Sequence, residues 1–65
     1  MKPNEILAAL ILNNYSQVKI AQKCGVNRSQ VCNVIHGRSR SLTVREEIAR
    51  TIGKPVEEIW PELVA

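Results

Sequence analysis

Residues 19–37 read KIAQKCGVNRSQVCNVIHG, and the order of small, apolar and polar residues in this stretch indicates how the chain folds. Apolar or small residues recur in it, with polar residues between them: Ile20, Ala21, Cys24, Gly25, Val26, Val31 and Val34. Ala21 is small enough to let two helices cross closely, and Gly25 supplies a sharp turn without a Cβ clash. The stretch therefore predicts two short helices joined by a tight turn.

The flanking sequence predicts three more helices, so the expected fold class is all-α, with five short helices in one domain spanning residues 1–65. Apolar stripes at helical spacing support the first and fourth helices: Ile6, Leu7, Leu10 and Ile11, then Val44, Ile48 and Ile52. The last helix is expected in KPVEEIW, with Pro55 in its first turn and Pro61 stopping it. A chain of 65 residues has room for one small core only.

Polar residues and glycines at the expected helix ends agree with this division. Ser16 and Asn27 are expected to cap the second and third helices. Gly25 and Gly37 are expected to end them in the left-handed conformation. The fourth helix is expected to begin at Ser41 or Thr43, and Thr43 with Glu46 fits a capping box.

Charge is concentrated in the middle of the chain. The net charge is +3, but residues 19–50 hold seven lysines and arginines against two glutamates, a local charge of +5. This distribution favours a polyanionic partner for the middle of the chain. A mixed, solvated surface explains the charge alone equally well.

The sequence contains no pattern typical of a membrane span or of a signal peptide. No apolar run approaches the length of a membrane span, and ILAALIL is too short and wrongly flanked for a signal peptide. We therefore expect a cytoplasmic protein without a membrane partner, in which Cys24 and Cys32 are free thiols.

Residues 17–36 carry the apolar and small positions of a helix-turn-helix motif, with Ala21 fifth and Gly25 ninth in the window. With one helix before it and two after, the chain resembles lambda-repressor-like phage repressors and Cro-like regulators. Residues 48–61, IARTIGKPVEEIWP, are similar to Ner-like regulators of Mu-type phages, although RSRS at 38–41 departs from that pattern. The resemblance implies transcriptional regulation through a short, often palindromic DNA operator, with the third helix in the major groove.

The third helix has two faces that fit this implication. At about 100° per residue, Val31, Val34 and Ile35 share one side. Five residues share the other: Arg28, Ser29, Cys32, Asn33 and His36. We predict base contacts by Arg28, Ser29 and Asn33, because Arg pairs with guanine and Asn with adenine. Ordinary solvated surface is the alternative for these side chains.

Other residues around the motif are expected to hold or border the DNA. Backbone contacts are predicted for Gln17, Lys19, Asn27, Arg38, Ser39, Arg40 and Ser41. Gln17 has the alternative role of bracing Arg28, and RSRS that of a loop without a partner. Gln30, Cys32 and His36 are possible members of the DNA-facing surface, and oxidation of Cys32 would then weaken binding. Arg45 and Arg50 are expected to form intrahelical pairs such as Glu46 with Arg50.

Catalytic and metal sites are not predicted. Cys24, Cys32 and His36 are too few for a closed zinc site, and Cys24 belongs to the inner face while the other two belong to the outer one. A single surface histidine lacks the neighbours that nucleophilic catalysis requires. We therefore expect no cofactor, metal, small-molecule substrate or enzymatic activity.

The C-terminal segment is the expected site of contact between two copies of the chain. Trp60 is expected to anchor the last helix on the core with Ile59 and Leu63, or else to form a dimer contact. A DNA-binding domain of this size makes few contacts with DNA. We therefore expect a homodimer, at least on DNA, paired through Val56 to Val64. Two further readings remain: a protein-interaction module such as an antitoxin-like partner, and a non-specific DNA-binding protein.

Overall fold

The computed structural model describes residues 1–61, and within them the chain forms five helices and no strand. They are α1 (Pro3–Leu12), α2 (Gln17–Cys24), α3 (Arg28–Ile35), α4 (Leu42–Ile52) and α5 (Val56–Ile59). The all-α prediction is confirmed. The helices form because each has apolar residues at helical spacing that one shared core can bury.

The turn between α2 and α3 is built by the predicted residues. The Ser16 hydroxyl accepts the Lys19 N–H at 3.3 Å, and the Asn27 side chain accepts the Gln30 N–H at 2.9 Å. Gly25 ends α2 with φ of +70°, a left-handed conformation that costs glycine no Cβ clash. These three residues set the angle at which α3 leaves α2.

Of the two predicted starts of α4, Ser41 is confirmed and Thr43 is wrong. Ser41 is the residue before the helix, but its side chain makes no capping hydrogen bond. Leu42 is already helical, so Thr43 lies inside the first turn and cannot form the capping box with Glu46. Pro55 likewise precedes α5 and is not part of its first turn.

The core lies where α1, α2, α3 and α4 meet and is closed by α5. Its buried apolar members are Ile6, Leu10, Ile20, Ala21, Val31, Val34, Ile35, Val44, Ile48, Ala49, Ile59 and Trp60. Trp60 is 3% exposed, which confirms it as the anchor of the last helix. The expected contribution of Leu63 lies outside the described residues.

The two arginines of α4 differ in their surroundings. Arg45 does not lie on the helix surface: it is 1% exposed, and its guanidinium carbon lies 4.9 Å from the Trp60 ring centroid. The expected intrahelical pairing of Arg50 is confirmed, but its partner is Glu47, at 3.0 Å, and not Glu46. The long aliphatic stem of an arginine can fill apolar space in a core, so a charged residue type does not by itself place Arg45 at the surface.

Candidate nucleic-acid interface

Helix α3 is fixed on one side and open on the other. Val31 and Val34 are fully buried, and Ile35 is nearly so. These residues pack α3 against α2 and α4. The opposite side therefore lies at the protein surface, as the sequence predicted.

The predicted DNA-facing residues of α3 lie on this open side. Arg28, Ser29, Gln30 and His36 are exposed, and Cys32 and Asn33 are half-buried. The three residues expected to contact bases thus lie on one helix, two at its first turn and Asn33 further along. Their polar groups are directed away from the core, which is the geometry that groove recognition requires.

Electrostatics favour a polyanion at this surface. Residues 6–45 contain six lysines and arginines and no acidic residue. Arg45 is buried, and the other five carry their charge on exposed side chains. Helix α3 itself has no carboxylate that would repel a phosphate, and its one charged residue is Arg28 at its first position.

The end of α3 is tied to the basic loop by a contact that the sequence did not reveal. Arg38 Nε donates to Asn33 Oδ1 at 3.1 Å, and the Arg38 N–H donates to the Asn33 carbonyl at 2.8 Å. Gly37, with φ of +79°, turns the chain back so that these bonds form. In the sequence, Gly37 indicates that the chain turns after α3. It does not indicate which side chain forms a hydrogen bond with Arg38. Ser39, Arg40 and Ser41 follow in the loop, where Arg40 is exposed and the two serines are half-buried.

The beginning of α3 borders a groove. Its lining is mostly aliphatic, from α1 and the start of α2, and includes Gln17 and Arg28. Gln17 Oε1 is buried and accepts no hydrogen bond, so Gln17 does not brace Arg28 through this oxygen. Asn27 uses its side-chain oxygen as the cap of α3, which leaves its amide N–H groups for other partners.

The two lysines of α2 lie around Tyr15. Lys19 Nζ donates to the Asn14 carbonyl at 3.1 Å, and Lys23 Nζ lies 5.0 Å from the Tyr15 ring centroid. Hydrogen bonding to Tyr15 raises the pKa of Lys23, and Glu47, at 3.8 Å, acts in the same direction. Lys23 therefore stays charged and joins α2 to α4, a role that its sequence position did not indicate.

Cys32 and His36 are neighbours one helical turn apart on the open side. Cys32 Sγ lies 3.6 Å from His36 Nδ1, and the same nitrogen lies 3.0 Å from the Cys32 carbonyl oxygen. Cys24 is also a free thiol and packs against the core, where burial raises its pKa. In the part of the chain that the structure describes, no three histidine, cysteine or acidic residues are grouped to hold a metal.

The arrangement defines a class: a helix-turn-helix DNA-binding domain, with α2 and α3 as the motif. Residues 1–63 match the family described as winged helix-turn-helix DNA-binding, and the chain belongs to this family. Residues 1–61 contain no strand, so this part of the chain carries the motif without a β wing. No curated protein and no solved structure matches the chain. Among the described residues, no helix has the length and apolar character needed to cross a membrane.

Proposed function

We propose that this protein binds a specific duplex DNA site with α3 in the major groove and regulates transcription, as a repressor of the phage or prophage type. The observation that carries the proposal is the open face of α3, which presents different polar groups close to exposed basic residues. Varied hydrogen-bonding groups favour sequence reading, whereas charge alone supports only non-specific binding. Such a protein works at the nucleoid, in the bacterial cytoplasm.

Arg28, Ser29 and Asn33 are the proposed base-reading residues. Arg28 offers two parallel N–H donors to a guanine, and Ser29 a hydroxyl beside it. Asn33 Oδ1 already accepts from Arg38, but a carbonyl oxygen has two lone pairs. Asn33 can therefore pair with an adenine while Arg38 remains bound to it.

Backbone contacts are proposed on both sides of the base-reading face. Gln17, Lys19 and Asn27 belong to the beginning of α2 and α3, and residues 38–41 follow the end of α3. Phosphate contacts from both ends would set the register of α3 in the groove. Gln30, Cys32 and His36 complete the DNA-facing surface, where a bulky or oxidised Cys32 would weaken binding.

Two copies on a palindromic site are part of the proposal. One domain places a single eight-residue helix against DNA, which limits the number of bases it can read. Dimeric helix-turn-helix proteins place two such helices in successive major grooves, about 34 Å apart. A homodimer, formed at least on the DNA, would bind the site more tightly than a single domain can.

Selection from a random duplex library with the purified protein tests the proposal. We expect an enriched palindrome, and we expect Arg28→Ala and Asn33→Ala to lose discrimination at their own base pairs by about 1–3 kcal/mol. Lys54→Ala, which removes an exposed cation outside the interface, is the matched control and should bind normally. Retention without an enriched site would instead indicate a non-specific binder.

A protein-interaction module is the second candidate, favoured by Ile11 and Leu12, which are 69% and 83% exposed. An antitoxin-like partner protein would cover such residues. Salt dependence separates the candidates, because binding to phosphates weakens steeply as salt rises and an apolar protein contact does not. Failure to retain DNA even at low salt would favour this second candidate.

A further inference from the structure

Asn33, near the end of α3, is bound to the following loop through both its main chain and its side chain. Its carbonyl oxygen accepts the Arg38 N–H at 2.8 Å and the Ser39 N–H at 3.2 Å. Its side-chain Oδ1 accepts the Arg38 Nε–H at 3.1 Å. The two main-chain bonds do not use the Arg38 side chain, so a substitution at residue 38 removes the side-chain bond alone.

The chemistry of the two side chains decides which end of the Asn33 amide faces Arg38. An arginine guanidinium has N–H donors and no acceptor, whereas an asparagine amide has an acceptor oxygen at one end and an NH₂ donor at the other. Rotating the Asn33 amide by half a turn would place its NH₂ group against the Arg38 Nε–H, with no hydrogen bond between them. The bond to Oδ1 therefore selects one orientation of the amide, in which Nδ2 is left for another partner.

We propose that Arg38 is a positioning residue, which fixes the Asn33 amide and thereby determines the base pair that Asn33 accepts. The inference rests on the proposed function, which brings α3 into the major groove. An asparagine whose orientation is set before binding loses less side-chain freedom when it meets a base. The bond uses Nε, so the terminal guanidinium nitrogens of Arg38 remain for the proposed phosphate contact.

The fixed amide fits some base edges better than others. It presents the Nδ2 donors and the second lone pair of Oδ1. Adenine satisfies both, because its N6 amine donates and its N7 accepts, and guanine and thymine offer acceptors to Nδ2. Cytosine offers only its N4 donor, which leaves Nδ2 without an acceptor. We therefore expect adenine to be preferred and cytosine to be rejected most strongly, whereas an amide freed from Arg38 would turn its oxygen to cytosine.

The mobility of the Asn33 side-chain amide in the absence of DNA is the first test, by the heteronuclear NOE of its NH₂ group in NMR. We expect a high NOE in the wild-type protein and a clearly lower one in Arg38→Ala, because an amide held by a hydrogen bond moves little. Arg40→Ala is the matched control, since Arg40 is an exposed arginine of the same loop, and it should keep the wild-type NOE. Equal values in the wild-type protein and Arg38→Ala, or in the two variants, would overturn the proposal.

Base preference is the second test, by selection from the random duplex library with each variant. The base pair read by Asn33 is identified as the one whose preference is lost in Asn33→Ala. Arg38→Ala should enrich the same site, with discrimination about tenfold lower at that base pair alone. Arg38→Lys, which keeps a side chain with donors only, should retain more of this discrimination. Arg40→Ala should weaken binding to all sequences alike, as the loss of a phosphate contact does.

The outcomes separate this inference from the proposed function. A uniform loss of affinity in Arg38→Ala, with the base preference unchanged, would make Arg38 a phosphate contact only and overturn the inference. If the wild-type protein enriches no site, the proposed function fails, and the NOE still decides whether Arg38 holds the amide. Neither test depends on how two copies pair, a contact expected at Val56 to Val64, of which residues 62–64 lie outside the described part of the chain.

Discussion

At the scale of single residues, the contact between Asn33 and Arg38 changes what each side chain is expected to do. Asn33 is both a proposed reader of bases and the acceptor that positions the Arg38 guanidinium. Removing either side chain therefore also changes how the other one is positioned for DNA binding. Such shared roles make the effects of two substitutions non-additive.

A double-mutant cycle on DNA affinity measures this dependence. We expect Asn33→Ala and Arg38→Ala together to cost less than the sum of the single losses, with a coupling of about 0.5–3 kcal/mol. Asn33→Ala with Lys19→Ala is the control pair, because Lys19 binds the Asn14 carbonyl and shares no partner with Asn33. Strict additivity in the first pair would show that the contact has no role in binding.

The two thiols should differ in reactivity for a reason that lies in their surroundings. Cys24 packs on the core, and burial raises its pKa, so less of it is thiolate at any pH below that pKa. Iodoacetamide at pH 8 should therefore label Cys32 before Cys24, as followed by mass spectrometry of the digested protein. Labelling at Cys32 should weaken binding to the selected duplex, and Cys32→Ser should remove that sensitivity. Labelling of Cys24 first, or undiminished binding after labelling at Cys32, would contradict this.

At the scale of elements, some helix starts are stabilised by a side-chain hydrogen bond and others are not. The Asn27 side chain accepts a backbone N–H at the start of α3, whereas the Ser41 side chain makes no such bond at the start of α4. Both are polar residues preceding a helix, so the sequence alone treats them alike. The structure predicts that only one of them stabilises its helix directly.

Urea unfolding of two alanine variants tests the difference. We expect Asn27→Ala to lower the free energy of unfolding by about 0.5–2 kcal/mol, because a backbone donor loses its partner. Ser41→Ala should change it by less than about 0.5 kcal/mol. Equal losses in the two variants would show that the difference in hydrogen bonding does not persist in solution.

At the scale of the whole molecule, the uneven charge should govern how binding depends on salt. Lys19, Arg38 and Arg40 are the three proposed cationic backbone contacts. Each phosphate neutralised contributes about −0.9 to the slope of log affinity against log salt. Two bound copies should therefore give a slope of roughly −5.

Titrations of the selected duplex over a range of salt concentrations measure this slope. Arg40→Ala should reduce its magnitude by about 1 for each bound copy, because one phosphate contact is lost. Lys54→Ala should leave it unchanged, since Lys54 follows α4 outside the proposed interface. An unchanged slope for Arg40→Ala would remove that residue from the set of backbone contacts.

Local chemistry explains why much of the fold could be predicted. Helix starts at Ser16 and Asn27 and the left-handed Gly25 depend on hydrogen bonds and sterics within a few residues, so the sequence reveals them. The inward face of α3 follows from the helical period, which needs only the order of apolar residues. The placement of the proposed base-reading residues on the open side of one helix follows from the same rule.

The all-α class, the helix-turn-helix motif and the two faces of α3 follow from the order of residues in the chain. The position of Arg45 against Trp60, the bond from Arg38 to Asn33, and the exposure of Ile11 and Leu12 depend instead on the packing of the helices. Helix periodicity states which residues share a side, but not which neighbouring helix covers that side. Burial of a charged stem or exposure of a leucine depends on how all the elements pack together, and this information is not contained in any one stretch of the chain.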